Sequence, residues 1–172
     1  EASLLNTVLD ESAVEGYDSR AKVFPPLRPS ADVDAVVAGL ADGTLDAISR
    51  EHNPQTELDK NQTFDRAAPG AITLQLVLPT VLQLVRDKKL TLQRAVSLLT
   101  RGPSQVVGRR ELGRLQEHVP ANFTVIDLGR AWQLDATSNK SRSFNTPLWE
   151  QPLKGQAVLT VGEGRVVHDA QA

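Results

Sequence analysis

Apolar positions in the first third of the chain follow a helical spacing and then a strand-like run. The apolar residues of 31–41 recur every three or four positions, which predicts a helix that Ser30 caps and Gly43 ends. A short apolar run at 45–49 leads directly into the polar segment 50–55. A helix, a tight turn, a short buried strand and a polar loop make an α/β unit, in which functional groups sit where the strand ends. We therefore expect candidate chemistry within 50–55.

Three more helices are predicted downstream of that loop. The apolar segment 72–87 has helical character, and a kink or a break is expected at Pro79. Thr91 is a good N-cap for the next helix, and Pro103 suits the first turn of a short third one. After Gly108 the apolar period changes, which marks the end of the helical part.

Strand patterns dominate the last third of the chain. The predicted strands are 123–128, 156–161 and 165–168, the last two flanking a Gly-Glu-Gly turn. We therefore place a boundary near Arg110. Residues 1–110 are expected to form an α/β unit, and residues 111–172 a small β module.

Composition narrows the class of protein. The chain has 172 residues, of which 40% are hydrophobic and 23% charged, values expected of a soluble globular protein. No apolar stretch is long enough to span a bilayer. No cysteine is present, which excludes disulfides, a thiol nucleophile and thiolate metal sites. The chain starts at Glu1 and lacks methionine, so we expect an excerpt of a longer polypeptide.

Charge is unevenly distributed along the chain. Residues 1–70 carry a net charge of −7 and residues 71–172 a net charge of +5, which leaves −2 overall. That total argues against a general nucleic-acid binder. The basic excess is densest over 86–114, where no aromatic residue is interleaved. This stretch is either a set of solvated helix faces or a docking surface for an acidic partner.

The three histidines offer few catalytic arrangements. His118 and His168 are expected at the surface, and no two histidines have the spacing of metal ligands. A metal site built from this chain alone would need His52 together with carboxylates such as Glu51 and Asp59. The residues alone therefore define an α/β protein with an unproven site around 50–55.

Several segments, in this order along the chain, resemble the C-terminal part of dihydroorotases, the zinc cyclic amidohydrolases of pyrimidine synthesis. The segments that carry most of the resemblance are Lys22-Val23-Phe24-Pro25-Pro26-Leu27-Arg28, Glu51-His52-Asn53-Pro54 and Ala68-Pro69-Gly70-Ala71-Ile72. The resemblance implies that residues 1–110 are the last units of an amidohydrolase (β/α)8 barrel and that 111–172 add strands to a flanking β-sandwich. A closed barrel of this kind needs about 250 residues, so the N-terminal half of the same barrel is an expected partner.

The metal-binding motifs of that family are altered. Where dihydroorotases have a Thr-Pro-His-His motif, this chain has Ser3-Leu4-Leu5-Asn6. The catalytic aspartate of the Asp-His-Ala-Pro-His motif corresponds to Glu51. The next histidine is retained as His52, and the last, which would contact substrate, is Gln55. Leucine and asparagine cannot replace imidazole as zinc donors, so no metal or other cofactor is expected.

The expected substrate contacts are altered as well. The family's substrate-contacting asparagine before Pro-Pro-Leu-Arg corresponds to Phe24, which removes a polar contact. Only the Ala68, Pro69 and Gly70 loop, whose backbone would face the substrate, is intact. The resemblance therefore implies a substrate site at these positions that is mostly degenerate.

Together these departures predict a noncatalytic dihydroorotase homologue. Such homologues serve as structural partners of aspartate carbamoyltransferase, so the expected role is a cytoplasmic docking subunit for that transferase. The alternative is an active zinc dihydroorotase acting on carbamoyl aspartate or dihydroorotate, with Glu51 as base on the metal-bound water and His52 assisting. A weaker alternative is a related hydrolase such as a hydantoinase or an allantoinase.

Overall fold

A pair of parallel strands opens the α/β part of the chain. In the computed structural model, which describes residues 1–170, β1 (Ala2–Ser3) and β2 (Ile48–Ser49) pair in parallel. An isolated parallel bridge between His52 and Ala71 continues this arrangement. Three segments thus end at one edge, where parallel strands expose their carboxyl ends. Of the predicted strand over 45–49, only its last two residues have strand pairing.

The helix between the two strands forms as the apolar spacing predicts. Helix α1 (Ser30–Asp42) buries Val37 and Leu40 and ends at Gly43, whose φ of 96° lies in the left-handed region. Ser30 is the first helical residue rather than the cap, because Pro29 precedes it in an extended conformation. The helix returns the chain to β2, which completes a parallel strand–helix–strand unit.

Four shorter helices follow. These are α2 (Glu57–Lys60), α3 (Val77–Arg86), α4 (Leu92–Leu99) and α5 (Arg101–Val106). Pro79 does not kink a long helix as expected, because α3 begins at Val77 and a first-turn proline needs no N–H partner. The Thr91 hydroxyl accepts a hydrogen bond from the Arg94 amide at 3.1 Å, which confirms the predicted cap of α4.

The last third of the chain forms an antiparallel sheet. Its strands are β3 (Phe123–Gln133), β4 (Pro152–Gly162) and β5 (Arg165–Asp169), in the order β3-β4-β5. Gly162 pairs with Arg165 across the predicted hairpin turn. Strands β3 and β4 are longer than their apolar alternation indicated, and bulges interrupt the register between them.

The core joins elements from both sides of Arg110. The main cluster includes Leu40, Leu76 and Leu98 from the first part of the chain and Leu134 from the last. The predicted domain boundary stays a prediction, although side chains beyond it pack against this shared core. Within residues 1–170, no helix has both the length and the apolar character needed to cross a membrane. The predicted α/β class is confirmed for the first part of the chain.

Candidate functional site

A cavity of about 220 Å³ opens where the parallel strands end. We call it the strand-end cavity. Its polar lining comes from β1, from the segment after β2 and from the turn before α3. The lining residues that matter below are Ser3, Phe24, Arg50, Glu51, His52, Asn53 and Gly70. Four of the seven predicted site residues, Phe24, Glu51, His52 and Gly70, therefore lie around one space.

Glu51 is held by a neighbouring strand. Its Oε2 accepts a hydrogen bond from Ser3 Oγ at 2.5 Å. The backbone of Glu51 has a φ of 45°, in the left-handed region that non-glycine residues seldom adopt. Such strain persists only where the surroundings enforce it, and here the β1–β2 pairing places Ser3 beside the carboxylate. The Glu51 carboxylate, which corresponds to the family's base, thus accepts a hydrogen bond from the Ser3 hydroxyl of the same chain.

His52 is fixed through its Nδ1 atom. This atom accepts hydrogen bonds from the backbone amides of Thr73 at 3.0 Å and Leu74 at 3.2 Å. A nitrogen that accepts from two N–H groups cannot carry a proton, so in the neutral ring the proton is on Nε2. Burial, with a smaller contribution from the Arg50 charge, lowers the pKa of His52 and thereby favours the neutral ring. His52 therefore offers an N–H donor to its surroundings.

The residues present do not fit a zinc centre. Zinc needs three or four nitrogen, sulfur or carboxylate donors, and residues 1–170 contain no group of three His, Asp or Glu side chains placed to hold a metal ion. Binding zinc through His52 Nδ1 would break both amide bonds, and Nε2 carries the proton. Asp59 bonds to the Thr56 hydroxyl at the start of α2, and the structure does not group it with His52 and Glu51.

Lys60 supports the loop formed by residues 68–70, which we call the 68–70 loop. The lysine is 6% exposed, and its Nζ donates to Ala68 O at 3.0 Å, Gly70 O at 3.2 Å and Lys22 O at 3.3 Å. The loop's own amides donate to Asp59 O and Lys22 O. Burial lowers the pKa of Lys60 to about 8, with the charge of Asp18 opposing the shift. This lysine was not predicted, because nothing in its sequence context marks it as buried.

Asn145 connects the 68–70 loop to the segment that follows β2, at Asn53 and Gln55. Its Nδ2 donates to Asn53 O at 3.1 Å and to Gly70 O at 3.0 Å, while its Oδ1 accepts from the Gln55 amide at 3.2 Å. The side chain is buried and lies some 75 to 92 residues away from these partners along the chain. The segment Asn145-Thr146-Pro147-Leu148 also resembles dihydroorotases, and that resemblance is the signal that could have placed Asn145 at the site.

The remaining acceptor of the loop is also engaged. Pro69 O accepts from Asn53 Nδ2 at 3.2 Å and from Gln55 Nε2 at 3.3 Å, and the two side chains bond to each other at 3.0 Å. Gly70 has a φ of 134°, and a Cβ there would lie 2.5 Å from Asn53 Nδ2. Each backbone N–H and C=O group of this loop therefore has a partner within the chain. That its backbone faces a substrate stays a prediction.

Phe24 lies at the mouth of the strand-end cavity with 78% of its surface exposed. Gln55 lines a second cavity of about 440 Å³, together with Lys60 and Asn145. Ala68 and Pro69 line neither cavity but precede Gly70, which lines the strand-end cavity. The structure thus gathers all the predicted site residues in one region, and their functional roles stay predictions.

Two arginines of the basic stretch 86–114 make hydrogen bonds within the molecule. Arg94 donates to the backbone oxygens of Leu40 and Leu45, both at 2.6 Å, and so closes the end of α1. Arg86 donates to Lys154 O at 3.1 Å and thereby joins α3 to β4. These two arginines are structural, which leaves a smaller basic surface than the sequence alone indicated. The predicted surface positions of His118 and His168 are confirmed.

Similarity to curated proteins covers nearly the whole chain. The chain is 41% identical over 162 residues to the dihydroorotase of Geobacter sp. (strain M21) and 43% identical over 164 residues to that of Syntrophotalea carbinolica. These matches cover 94% and 93% of this chain. The chain spans just over a third of each relative, 38% and 37%. No family model matches the chain.

Two solved structures have a fold similar to that of this chain. The L-hydantoinase (dihydropyrimidinase) from Arthrobacter aurescens superposes with a TM-score of 0.89 at 26% identity, over 97% of this chain and 38% of the other. The dihydropyrimidinase from Brevibacillus agri superposes with a TM-score of 0.87 at 18% identity, over the same two fractions. The second likeness shows the fold alone.

These similarities support the amidohydrolase superfamily as the class of this α/β chain. Within that class, the curated relatives that match it over nine tenths of its length bear the name dihydroorotase.

Proposed function

We propose that this chain is part of a dihydroorotase-like protein of pyrimidine biosynthesis that has lost hydrolytic activity. In this proposal residues 1–110 are the last units of a (β/α)8 barrel, and 111–172 contribute strands to a flanking β-sandwich. The resemblance to dihydroorotases along the chain, together with the hydantoinase-like fold, supports this assignment. The chain spans little more than a third of those relatives, so the activity of the whole protein rests on residues outside it as well.

The observation that carries the proposal is that both Glu51 and His52, which we call the strand-end pair, accept hydrogen bonds from this chain's own groups. Ser3 donates to Oε2 of the Glu51 carboxylate, and two backbone amides donate to Nδ1 of His52, so that this nitrogen has no electron pair left for a metal. A base must reach the proton it removes, and a metal ligand must offer a free electron pair. The longer glutamate side chain adds a further displacement, and misplacement by about 1 Å can reduce a rate about 100-fold.

Turnover by the full-length protein tests the loss of activity. Carbamoyl aspartate and dihydroorotate are supplied with added zinc, and we expect no rate above the uncatalysed reaction. The alternative, an active zinc dihydroorotase whose remaining ligands come from elsewhere in the protein, draws support from the shared cavity of Glu51 and His52. Measurable turnover that disappears in Glu51→Gln would establish that alternative and refute the proposal.

The proposed role is a cytoplasmic structural partner of aspartate carbamoyltransferase. Copurification of the full-length protein with the transferase at micromolar concentration is the expected result, and separate elution would contradict it. The candidate contact is the exposed remainder of the basic stretch, where charge attraction weakens with added salt. Reversal of Arg109 and Arg110 to glutamate should weaken the complex more at low salt than at high salt. Unchanged binding at low salt would exclude this surface as the contact with the transferase.

A further inference from the structure

We propose that the second cavity, of about 440 Å³, binds a free amino acid with an apolar or aromatic side chain. In this proposal Arg20 binds the carboxylate of the ligand, Glu57 binds its ammonium group, and the Phe144 ring packs against its side chain. The inference goes beyond the proposed function, since it concerns a space other than the strand-end cavity and holds whether or not the protein hydrolyses a cyclic amide.

Three segments of this chain supply the lining of the second cavity. The lining residues belong to the segments 18–20, 55–61 and 144–145. Ser19 Oγ donates to Lys60 O at 2.6 Å, which joins the first segment to the second. Asn145 Oδ1 accepts from the Gln55 amide at 3.2 Å, which joins the second to the third. Cavities that bind small molecules have volumes of about 300–1,000 Å³, so this space has the size of a ligand site.

The Arg20 guanidinium is held in place on one edge and open on the other. Its Nε lies 3.1 Å from both oxygens of the Asp18 carboxylate, and its Nη2 lies 2.8 Å from Oδ2. Its Nη1 makes no hydrogen bond to any residue of 1–170, and 51% of the side chain is exposed. A guanidinium has five N–H donors in one plane. Arg20 therefore presents fixed, unused donors that suit a second carboxylate.

Glu57 places the opposite charge in the same cavity. Its side chain is exposed, and its carboxylate accepts no hydrogen bond within the described part of the chain. A ligand with a single charge would be attracted by one of Arg20 and Glu57 and repelled by the other. A zwitterion satisfies both, and an amino acid at neutral pH carries an ionised carboxyl and an ionised amino group. The pair of open charges therefore favours an amino acid over a simple anion or cation.

Phe144 adds an apolar surface to these charges. Its ring packs edge-on against Trp149, with the ring centroids 5.2 Å apart and an interplanar angle of 82°. The contact holds the ring in place, and 44% of the residue is still exposed. Aromatic rings pack favourably in offset or edge-to-face arrangements. The free part of Phe144 therefore suits an apolar or aromatic ligand side chain.

The buried polar groups of the lining are already satisfied. Lys60 Nζ donates to three backbone carbonyls, and the Asn145 side chain makes three hydrogen bonds. A ligand in the second cavity therefore leaves the braces of the 68–70 loop intact. Its charged groups are recognised by Arg20 and Glu57, which are both accessible from solvent.

Binding of L-phenylalanine to the full-length protein tests the proposal. Two matched probes are 3-phenylpropionate, which lacks the ammonium group, and 2-phenylethylamine, which lacks the carboxylate. The test variants are Arg20→Gln and Glu57→Gln. The control variants are Arg130→Gln and Glu163→Gln, which remove exposed charges outside the cavity. Titration calorimetry gives the affinities, and thermal unfolding shows that each variant is folded.

Each charge variant should weaken only the ligands that carry its partner group. We expect Arg20→Gln to weaken L-phenylalanine and 3-phenylpropionate about tenfold, the effect of losing a hydrogen bond between charged groups, and to leave 2-phenylethylamine unchanged. Glu57→Gln should weaken L-phenylalanine and 2-phenylethylamine by a similar factor and spare 3-phenylpropionate. Phe144→Leu should weaken all three ligands, and the control variants should weaken none.

A second arginine variant keeps the test decisive if Arg20→Gln fails to fold. Arg20→Lys retains the charge but loses the planar N–H groups, and it should weaken the two ligands that carry a carboxylate. No binding of L-phenylalanine to the folded wild type at millimolar concentration would overturn the proposal. So would affinities that are unchanged in both charge variants, or an equal loss for all three ligands in Arg20→Gln. Turnover of dihydroorotate would refute the proposed function without affecting any of these affinities.

Discussion

The strand-end pair and the 68–70 loop lie at the same site but are built in different ways. Glu51 and His52 present side chains to the strand-end cavity, where Glu51 accepts one hydrogen bond and His52 accepts two. The loop presents only backbone, and Lys60 and Asn145 hold it from the inside with three hydrogen bonds. Three further bonds of these two side chains join it to neighbouring segments.

The two sets of hydrogen bonds have different effects on the protein. The bonds of Lys60 and Asn145 join segments that are distant along the chain, so they stabilise the fold whether or not a ligand binds. The bonds of Glu51 and His52 engage one carboxylate oxygen and one ring nitrogen of side chains that line the strand-end cavity. The hydrogen bonds that hold the loop are therefore separate from those that engage the Glu51 and His52 side chains.

Removal of the Lys60 amine should cause the largest loss of stability, because this amine braces the 68–70 loop. Lys60→Met removes one donor from each of three backbone carbonyls. Gly70 O keeps Asn145 Nδ2 and Lys22 O keeps the Gly70 amide, but Ala68 O loses its partner, and we expect a loss of about 3 kcal/mol in the free energy of unfolding. Urea denaturation measures it, and Lys140→Met is the exposed control. A loss no greater than that of the control would show that Lys60 does not brace the loop.

A side chain at position 70 should disturb the loop from its outer face. Gly70→Ala is expected to cost about 2 kcal/mol, because φ is positive and the new methyl group meets Asn53. Asn53→Ala in the same chain should restore part of that loss, since it removes the colliding atoms. A double-mutant cycle measures the coupling, and strictly additive losses would contradict the contact.

The Ser3→Ala change tests the hydrogen bond that engages Glu51 in the strand-end pair. Loss of the hydroxyl that donates to Glu51 should destabilise the protein by about 1 kcal/mol, because the bond is only part-buried. The neighbouring Ser49→Ala serves as control. We expect no gain in zinc affinity, since His52 Nδ1 remains engaged. Zinc binding by Ser3→Ala alone would mean that the Ser3 contact is what keeps the metal out.

The pH dependence of stability should report on Lys60. Its pKa in the folded protein, about 8, lies below the ordinary value of 10.5, so the unfolded chain binds more protons between these two values. Stability should therefore rise with pH from about 8 to 10.5, by about 0.5 kcal/mol per pH unit after allowance for solvent screening. Lys60→Met should lack this rise. Parallel pH curves for the two proteins would contradict it.

Local patterns of the sequence predicted the elements that depend on local forces. The apolar stripe of α1, the Thr91 cap of α4 and the β4–β5 hairpin follow from spacing and turn chemistry over a few residues. The position of Glu51 and His52 at a strand end follows from the same α/β logic. Their place in the site could therefore be predicted before any tertiary contact was known.

The rest of the site depends on contacts that no local pattern encodes. Asn145 reaches residues more than 70 positions away, and Lys60 is buried although lysine is ordinarily exposed. The engagement of His52 Nδ1 depends on the turn that places the Thr73 and Leu74 amides beside the ring. The sequence indicated which groups are present, and the tertiary packing determines which of them are free.

The ¹⁵N NMR signals of the His52 ring during a zinc titration of the full-length protein test the central claim most directly. The account predicts an unprotonated, hydrogen-bonded Nδ1 and a protonated Nε2 whose shifts do not change as zinc is added. A metal-induced shift of either nitrogen, at one zinc per chain, would contradict it.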